Sequence, residues 1–288
     1  MSTFDYSKTY YKVTNEKEKH NGYQYKDGLN ILEEKFNDNP NASCVPGGFY
    51  FTDYDNLPSF LGYGVWIREV RIPEDARVVK DPEGDKWRTD KIILGKKYHI
   101  NKDFDKWFNP EKFNWVDSEN LAKYCVKNFD KWFDSDKFNW QKSWSLAKYC
   151  SSKFKEWFDC NNFNFLDGSW ALAKYCPEQF DKWFNPEKFD WEDSWALAEY
   201  CPEQFDKWFD SNKFNWDDSW VLAKYCSDKF NKWFDPEKYN WDDSDYLAQY
   251  CSEYFDKWFD PNKFNWEDDS WSLENYCSEH RNKWGKYL

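Results

Sequence analysis

FDKWFNPEKFDWEDSWALAEYCPEQ occupies Phe180–Gln204, and the same wording restarts at Phe205, Phe230 and Phe255. It has already begun at Phe104, Phe129 and Phe154, so seven copies run in register, five of 25 residues and two of 26. A shortened eighth closes the chain at 281–288. A fixed period in this range marks a repeat architecture and outranks any local reading. Within one copy, Leu197, Ala198 and Cys201 fall on one face at helical spacing, and Ser194 stands where a hydroxyl can cap the helix start. Ser or Pro then recurs just after the cysteine, a pair of residues suited to a second helix start. Phe205, Trp208 and Phe209 form the apolar face of that second helix, and dipeptides such as Asn185-Pro186 end it. Each copy therefore reads as two short helices and a connector.

Helices of this length are unstable alone in water, so the copies must stack into one solenoid. The layout resembles ankyrin repeats with the β-hairpin trimmed away, although the Thr-Pro-Leu-His signature is missing. Trp107, Trp132, Trp157, Trp183, Trp208, Trp233, Trp258 and Trp284 recur once per copy and are expected in the core. A second tryptophan position at the helix start holds Trp144, Trp170, Trp195, Trp220 and Trp271, but Glu119 and Asp245 in two copies. A position that accepts a carboxylate is expected to be partly exposed and suited to contact a partner. The third copy carries Phe165 in place of tryptophan, Cys160 in its turn and an extra residue near Gly168, which marks it as the weak point of the array.

The chain is acidic, with 40 basic against 53 acidic residues. Residues 1–103 are nearly balanced at net −1, whereas the repeats carry −12. Such a surplus repels phosphate backbones and argues against nucleic acid; a protein partner with a basic surface fits it better. The acids recur as pairs before the helix-start serine, among them Asp217-Asp218 and Asp242-Asp243. Stacking would line these up beside the indoles into a partner-binding stripe.

Seven of the nine cysteines occupy one repeat position on the apolar helix face and read as small buried hydrophobes. The three histidines are scattered and no CxxC pair occurs, so neither a metal site nor a cofactor is expected. Free buried thiols suit a reducing compartment, and no leader or membrane span is recognisable, which points to cytoplasm.

Upstream, residues 8–103 lack the repeat. Tyr10–Thr14 is rich in strand formers, His20-Asn21-Gly22 is a turn, and CVPGG (44–48) breaks the chain before an aromatic run. Residues 56–62 suit a short helix, and 65–72 and 87–94 suit strands. This predicts a compact α+β domain over 8–103, followed without a flexible linker by an all-α solenoid of seven helix-turn-helix repeats over 104–288. The first repeat should pack directly on the domain. Arg281 and Gly285 replace apolar residues in the last copy and supply a polar capping helix.

KVTNEKEKHNGYQYKDGLNI, CVPGGFYFTD, YGVWIREVRIPEDARVV and KWRTDKIIL resemble the N-terminal domain of repeat proteins encoded by mimivirus-type giant viruses. In that family the domain precedes ankyrin-type or related short helical repeats, here the WFDPEKFNW unit. The resemblance implies a viral protein of the infected-cell cytoplasm or the virion, and implies no activity. The first expectation is thus a non-enzymatic scaffold that binds protein through its solenoid. A structural virion component shares the same features. A third reading is an enzyme, because GGFYFTD (47–53) looks loosely like the glycine–aromatic block of ADP-ribosyltransferases. That likeness implies His20 and Tyr50 holding a nicotinamide dinucleotide and Glu69 stabilising a cationic sugar.

Overall fold

The structure is a computed structural model and describes residues 4–288. It divides into two compact units, one ending at Trp140 and the other spanning Gln141–Leu288.

The first unit opens with antiparallel sheets. Strands β1 (Tyr10–Thr14), β6 (Trp66–Arg71), β9 (Lys91–His99) and β4 (Gly28–Ile31) form a four-stranded sheet in the order β1-β6-β9-β4. A three-stranded sheet runs β5 (Phe49–Phe51), β8 (Trp87–Thr89), β7 (Val78–Lys80), and β2 (Lys19–His20) pairs with β3 (Tyr23–Gln24) as a hairpin. Asn21 and Gly22, with φ of 48° and 83°, make the hairpin turn, as the two-residue connection demands. Tyr10, Phe49, Phe51, Val70, Ile92 and Leu94 meet in the core between the sheets. A bridge between Tyr11 and Thr52 ties β1 to the end of β5.

Two local expectations need correction. The run 87–94 is not one strand: it breaks at Asp90, whose carboxylate accepts from the Arg77 backbone N–H and Nε, so the chain leaves one sheet and enters the other. The short helix near 56–62 is a 3₁₀ helix over Leu57–Tyr63, with Pro58 in its first turn.

The first repeat packs directly on this domain. Tyr54 Oη donates to Trp107 O and accepts from the Asn109 N–H, and Asn101 Nδ2 donates to Tyr124 O. Trp107 Nε1 donates to Ile100 O, which occupies the place that a cysteine carbonyl takes in later copies.

The 25-residue copies after the first share one construction. Phe205–Trp208 is a four-residue helix led in by the 3₁₀ turn Pro202–Gln204, and Trp216–Asp218 is a 3₁₀ turn leading into the helix Trp220–Tyr225. Phe205 and Trp208 are buried, with ring centroids 5.1 Å apart in an edge-on pair. The once-per-copy tryptophans are all core, and each Nε1 donates to the carbonyl seven residues earlier at 2.8–3.0 Å. From Trp132 onward that acceptor is the repeat cysteine, whose own side chain is buried. Burial raises these thiols to about 12. The chain is therefore an α+β domain followed by an all-α repeat solenoid with a closing helix at Arg281–Trp284.

The serine has a different job from the one its position suggested. It makes no cap hydrogen bond to its own helix. Instead Ser194 Oγ accepts from the Asn215 N–H at 3.0 Å, one copy downstream. The same bond recurs from Asn139 to Ser118, Asn164 to Ser143, Asp190 to Ser169, Asn240 to Ser219 and Asn265 to Ser244. All six serines are buried. Capping falls to the residue that heads the connector turn: Asn215 Oδ1 accepts from the Asp217 N–H, and Asn114, Asp190 and Asn240 do the same in their copies.

Candidate functional site

The helix-start tryptophans lie where packing is incomplete. Trp144, Trp170, Trp195 and Trp220 are half-buried, and Trp271 in the last full copy is 48% exposed. Four of the five indoles face a tyrosine from the far end of their own helix: Trp144 lies 6.4 Å from Tyr149, Trp170 6.1 Å from Tyr175, and Trp195 6.3 Å from Tyr200. Trp271 meets Tyr276 at 6.1 Å, and Trp220 meets Tyr246 of the following copy at 5.1 Å. Glu119 and Asp245, which replace the indole, are half-buried too.

Lysines complete the surface. Lys148 Nζ lies 5.9 Å from the Trp144 ring and 5.3 Å from Tyr149, and Lys224 stands over Trp220 and Tyr225. Lys174 bridges Tyr175 and the next copy's Tyr200. Several of these rings thus already hold a cation of their own chain. These lysines and tyrosines were missed from the sequence, although the LAKY run signals them: Lys148 follows Trp144 by four residues, one helical turn.

Asp217 and Asp242 are exposed, while Asp218 and Asp243 are half-buried. Their backbone or side chains close the asparagine-headed turn: Asn215 Nδ2 donates to Asp218 Oδ2 at 3.3 Å and Asn240 Nδ2 to Asp243 Oδ2 at 3.2 Å. Burial pushes Asp243 up to about 6, aided by Asp245, Asp269, Asp242 and Asp218 around it. Burial also raises Asp193 to about 6. In two places such an acid reaches the helix start of the copy before it. Asp193 Oδ2 accepts from the Trp170 N–H at 3.1 Å, and Asp269 Oδ2 accepts from Ser244 Oγ and the Asp245 N–H. Acids and helix-start positions therefore share one seam there, whereas no direct bond joins Asp217 or Asp242 to an indole.

In the α+β domain, His20 and Tyr50 line one cavity of about 980 Å³, but Glu69 does not. Glu69 Oε1 accepts from Tyr98 Oη at 2.7 Å, and Tyr50 Oη is engaged with the Val45 backbone through both its N–H and its carbonyl. The three residues that the transferase likeness would need are not assembled. Asp81, Glu83 and Asp85 converge closely, but the Lys86 ammonium lies among them at 3.5, 2.6 and 3.2 Å and supplies their counter-charge.

Among the described residues no helix is long and apolar enough to cross a membrane. No family model and no solved structure matches the chain. Curated relatives do, among them several from Acanthamoeba polyphaga mimivirus. The protein named "Putative ankyrin repeat protein R868" is 46% identical over 104 residues, 35% of this chain and 51% of that one. "Uncharacterized protein R869" is 45% identical over 102 residues, covering 35% of this chain and 73% of its own length. "Putative ankyrin repeat protein R896" is 38% identical over 95 residues, covering 32% and 28%. The chain thus spans about half the length of the first of these relatives. With an α+β domain ahead of repeated helix pairs, and with these relatives, the chain belongs to the family of mimivirus ankyrin-type repeat proteins.

Proposed function

We propose that the protein is a non-enzymatic scaffold that binds a protein partner with a basic surface through the repeat copies. The observation that carries this reading is the row of Trp144, Trp170, Trp195, Trp220 and Trp271, incompletely buried in copy after copy, each after the first preceded by a turn that carries acids. Aromatic side chains supply much contact area for little ordering entropy, and the carboxylates of Asp217, Asp218, Asp242 and Asp243 steer a basic partner toward them. Because Lys148, Lys174 and Lys224 already lie over rings of this surface, the partner's cations meet the exposed carboxylates, and its apolar side chains meet the indoles. Residues 8–103 serve as a separate functional domain that closes the N-terminal end of residues 104–288. The site of action is the infected-cell cytoplasm or the virion.

The test is affinity purification of tagged protein from infected cells, in parallel with two variants. Asp217→Asn/Asp242→Asn removes two exposed charges with no packing cost. Trp195→Ser/Trp220→Ser/Trp271→Ser removes indole area. Proteins captured by the wild type and depleted with both variants, while helical circular dichroism persists, support the reading. Capture unchanged by both variants refutes this surface.

A further inference from the structure

Strand β1 alternates, with Tyr10, Lys12 and Thr14 buried on one face. A lysine at the centre of that face is unusual, since lysines are almost never fully buried unless paired. Lys12 is 5% exposed. Its Nζ donates to Tyr50 O at 2.8 Å and lies 4.8 Å over the Tyr25 ring. Its cross-strand neighbour is Arg68, also buried, so two cations stand side by side in the sheet. The nearby carboxylates are spent on the arginine: Arg68 pairs with Glu18 and Asp27. Lys97 takes a second share of Glu18. Among the described residues, no carboxylate pairs with Lys12.

The ammonium borders the 980 Å³ cavity, whose walls include the rings of Tyr23, Tyr25, Tyr50 and Tyr63. His20 shares the lining, and burial first, then the charge of Lys12, holds its pKa below the ordinary imidazole value. Lys86, also in the lining, is neutralised by its three acids. The two carboxylates of the lining, Glu33 and Glu34, are exposed. An uncompensated buried cation beside aromatic walls is the complement of one negative charge on a flat apolar body.

We propose that this cavity binds a small aromatic monoanion, its carboxylate on Lys12 and its ring among the tyrosines. Among the described residues Lys12 is the one buried cation of the lining without an acid, since Lys26 is exposed, and it suits a single charge; a polyphosphate would bring several, with Glu33 and Glu34 repelling the rest. The competing account gives Lys12 only the task of tying β1 to β5 through the Tyr50 carbonyl, and needs no ligand. This inference is independent of partner binding by the repeats.

The experiment is calorimetric titration of the whole protein with 2-naphthoate and with its uncharged analogue 2-naphthylmethanol. The expected result at pH 7 is one saturable naphthoate site, bound about tenfold or more tighter than the alcohol. Lys12→Met should erase that preference while leaving alcohol binding within about twofold. Burial lowers Lys12 to about 8; Arg68, His20 and the Tyr25 phenol are its titratable or charged neighbours, and Lys26, Glu33 and Glu34 share the cavity lining. Naphthoate affinity should therefore be full below that pH and fall as pH rises through it, while alcohol affinity stays level. That pH profile on the wild type decides the matter if Lys12→Met does not fold. Absence of saturable naphthoate binding, equal affinity for acid and alcohol, or a level profile for both would overturn the proposal.

Discussion

At the scale of single residues, the serine of each copy shows how a familiar signal can be satisfied by a different bond. A Ser ahead of an apolar helical run reads as a cap, and sequence periodicity cannot say otherwise. In the folded chain the hydroxyl turns away from its own helix and accepts the backbone N–H of a residue 21 positions on. Both groups are out of reach of solvent competition, because the serine is buried. Ser194→Ala should therefore leave the Asn215 N–H unpaired and cost about 1–3 kcal/mol. Ser194→Asp separates the two roles: aspartate is a good cap and would be tolerated if capping were the task. Buried between copies it should destabilise more than alanine does. Urea titrations of the three proteins provide the check, and a stable aspartate variant would return the serine to a capping role.

Among the elements, the two 26-residue copies are the informative ones. Their extra residue does not loop out. It merges the 3₁₀ turn with the following helix into one continuous helix of 11 residues, Phe165–Tyr175 in the third copy and Trp266–Tyr276 in the seventh. Phe165, expected to weaken the third copy, is buried and packs edge-on against Phe163 at 5.1 Å. Gly168 lies against the same ring: a Cβ there would stand 2.7 Å from Phe163 Cζ. Two effects thus oppose each other in Gly168→Ala. Helix propensity favours alanine by about 1 kcal/mol, while overpacking a buried aromatic costs about 1–3 kcal/mol. Phe163 is itself packed against Trp157, Phe158 and Phe165, so the variant should lose stability, read as a lower denaturation midpoint. A midpoint above wild type would mean that the ring moves aside freely.

For the molecule as a whole, lysine ladders join successive copies: Lys207 to Asp181, Lys213 to Glu187, Lys232 to Asp206 and Lys263 to Glu237. These pairs are largely exposed, so each contributes about 1 kcal/mol or less, and cohesion rests on the buried rings, serines and cysteines. The thiols report that cohesion. All nine cysteines are free; Cys44 and Cys160 are exposed and the seven repeat cysteines are buried. A thiol reagent should label two sites in the native protein and the other seven only on unfolding. Rapid labelling of the repeat cysteines without denaturant would contradict the packing. Much of this was legible beforehand. The period, the two helices per copy, the buried once-per-copy tryptophans and an α+β region ahead of the repeats follow from residue type and spacing, because a repeated stripe of apolar side chains has only its neighbours to pack against. Which partner each polar group takes was not legible. Whether a serine caps its own helix or binds the next copy, whether Glu69 joins His20 and Tyr50, and that Lys12 faces a cavity with no counter-charge all depend on distances between residues far apart in sequence. Hydrogen bonds and charges are settled by geometry at the ångström scale, which hydrophobic periodicity does not encode and only the packed chain decides.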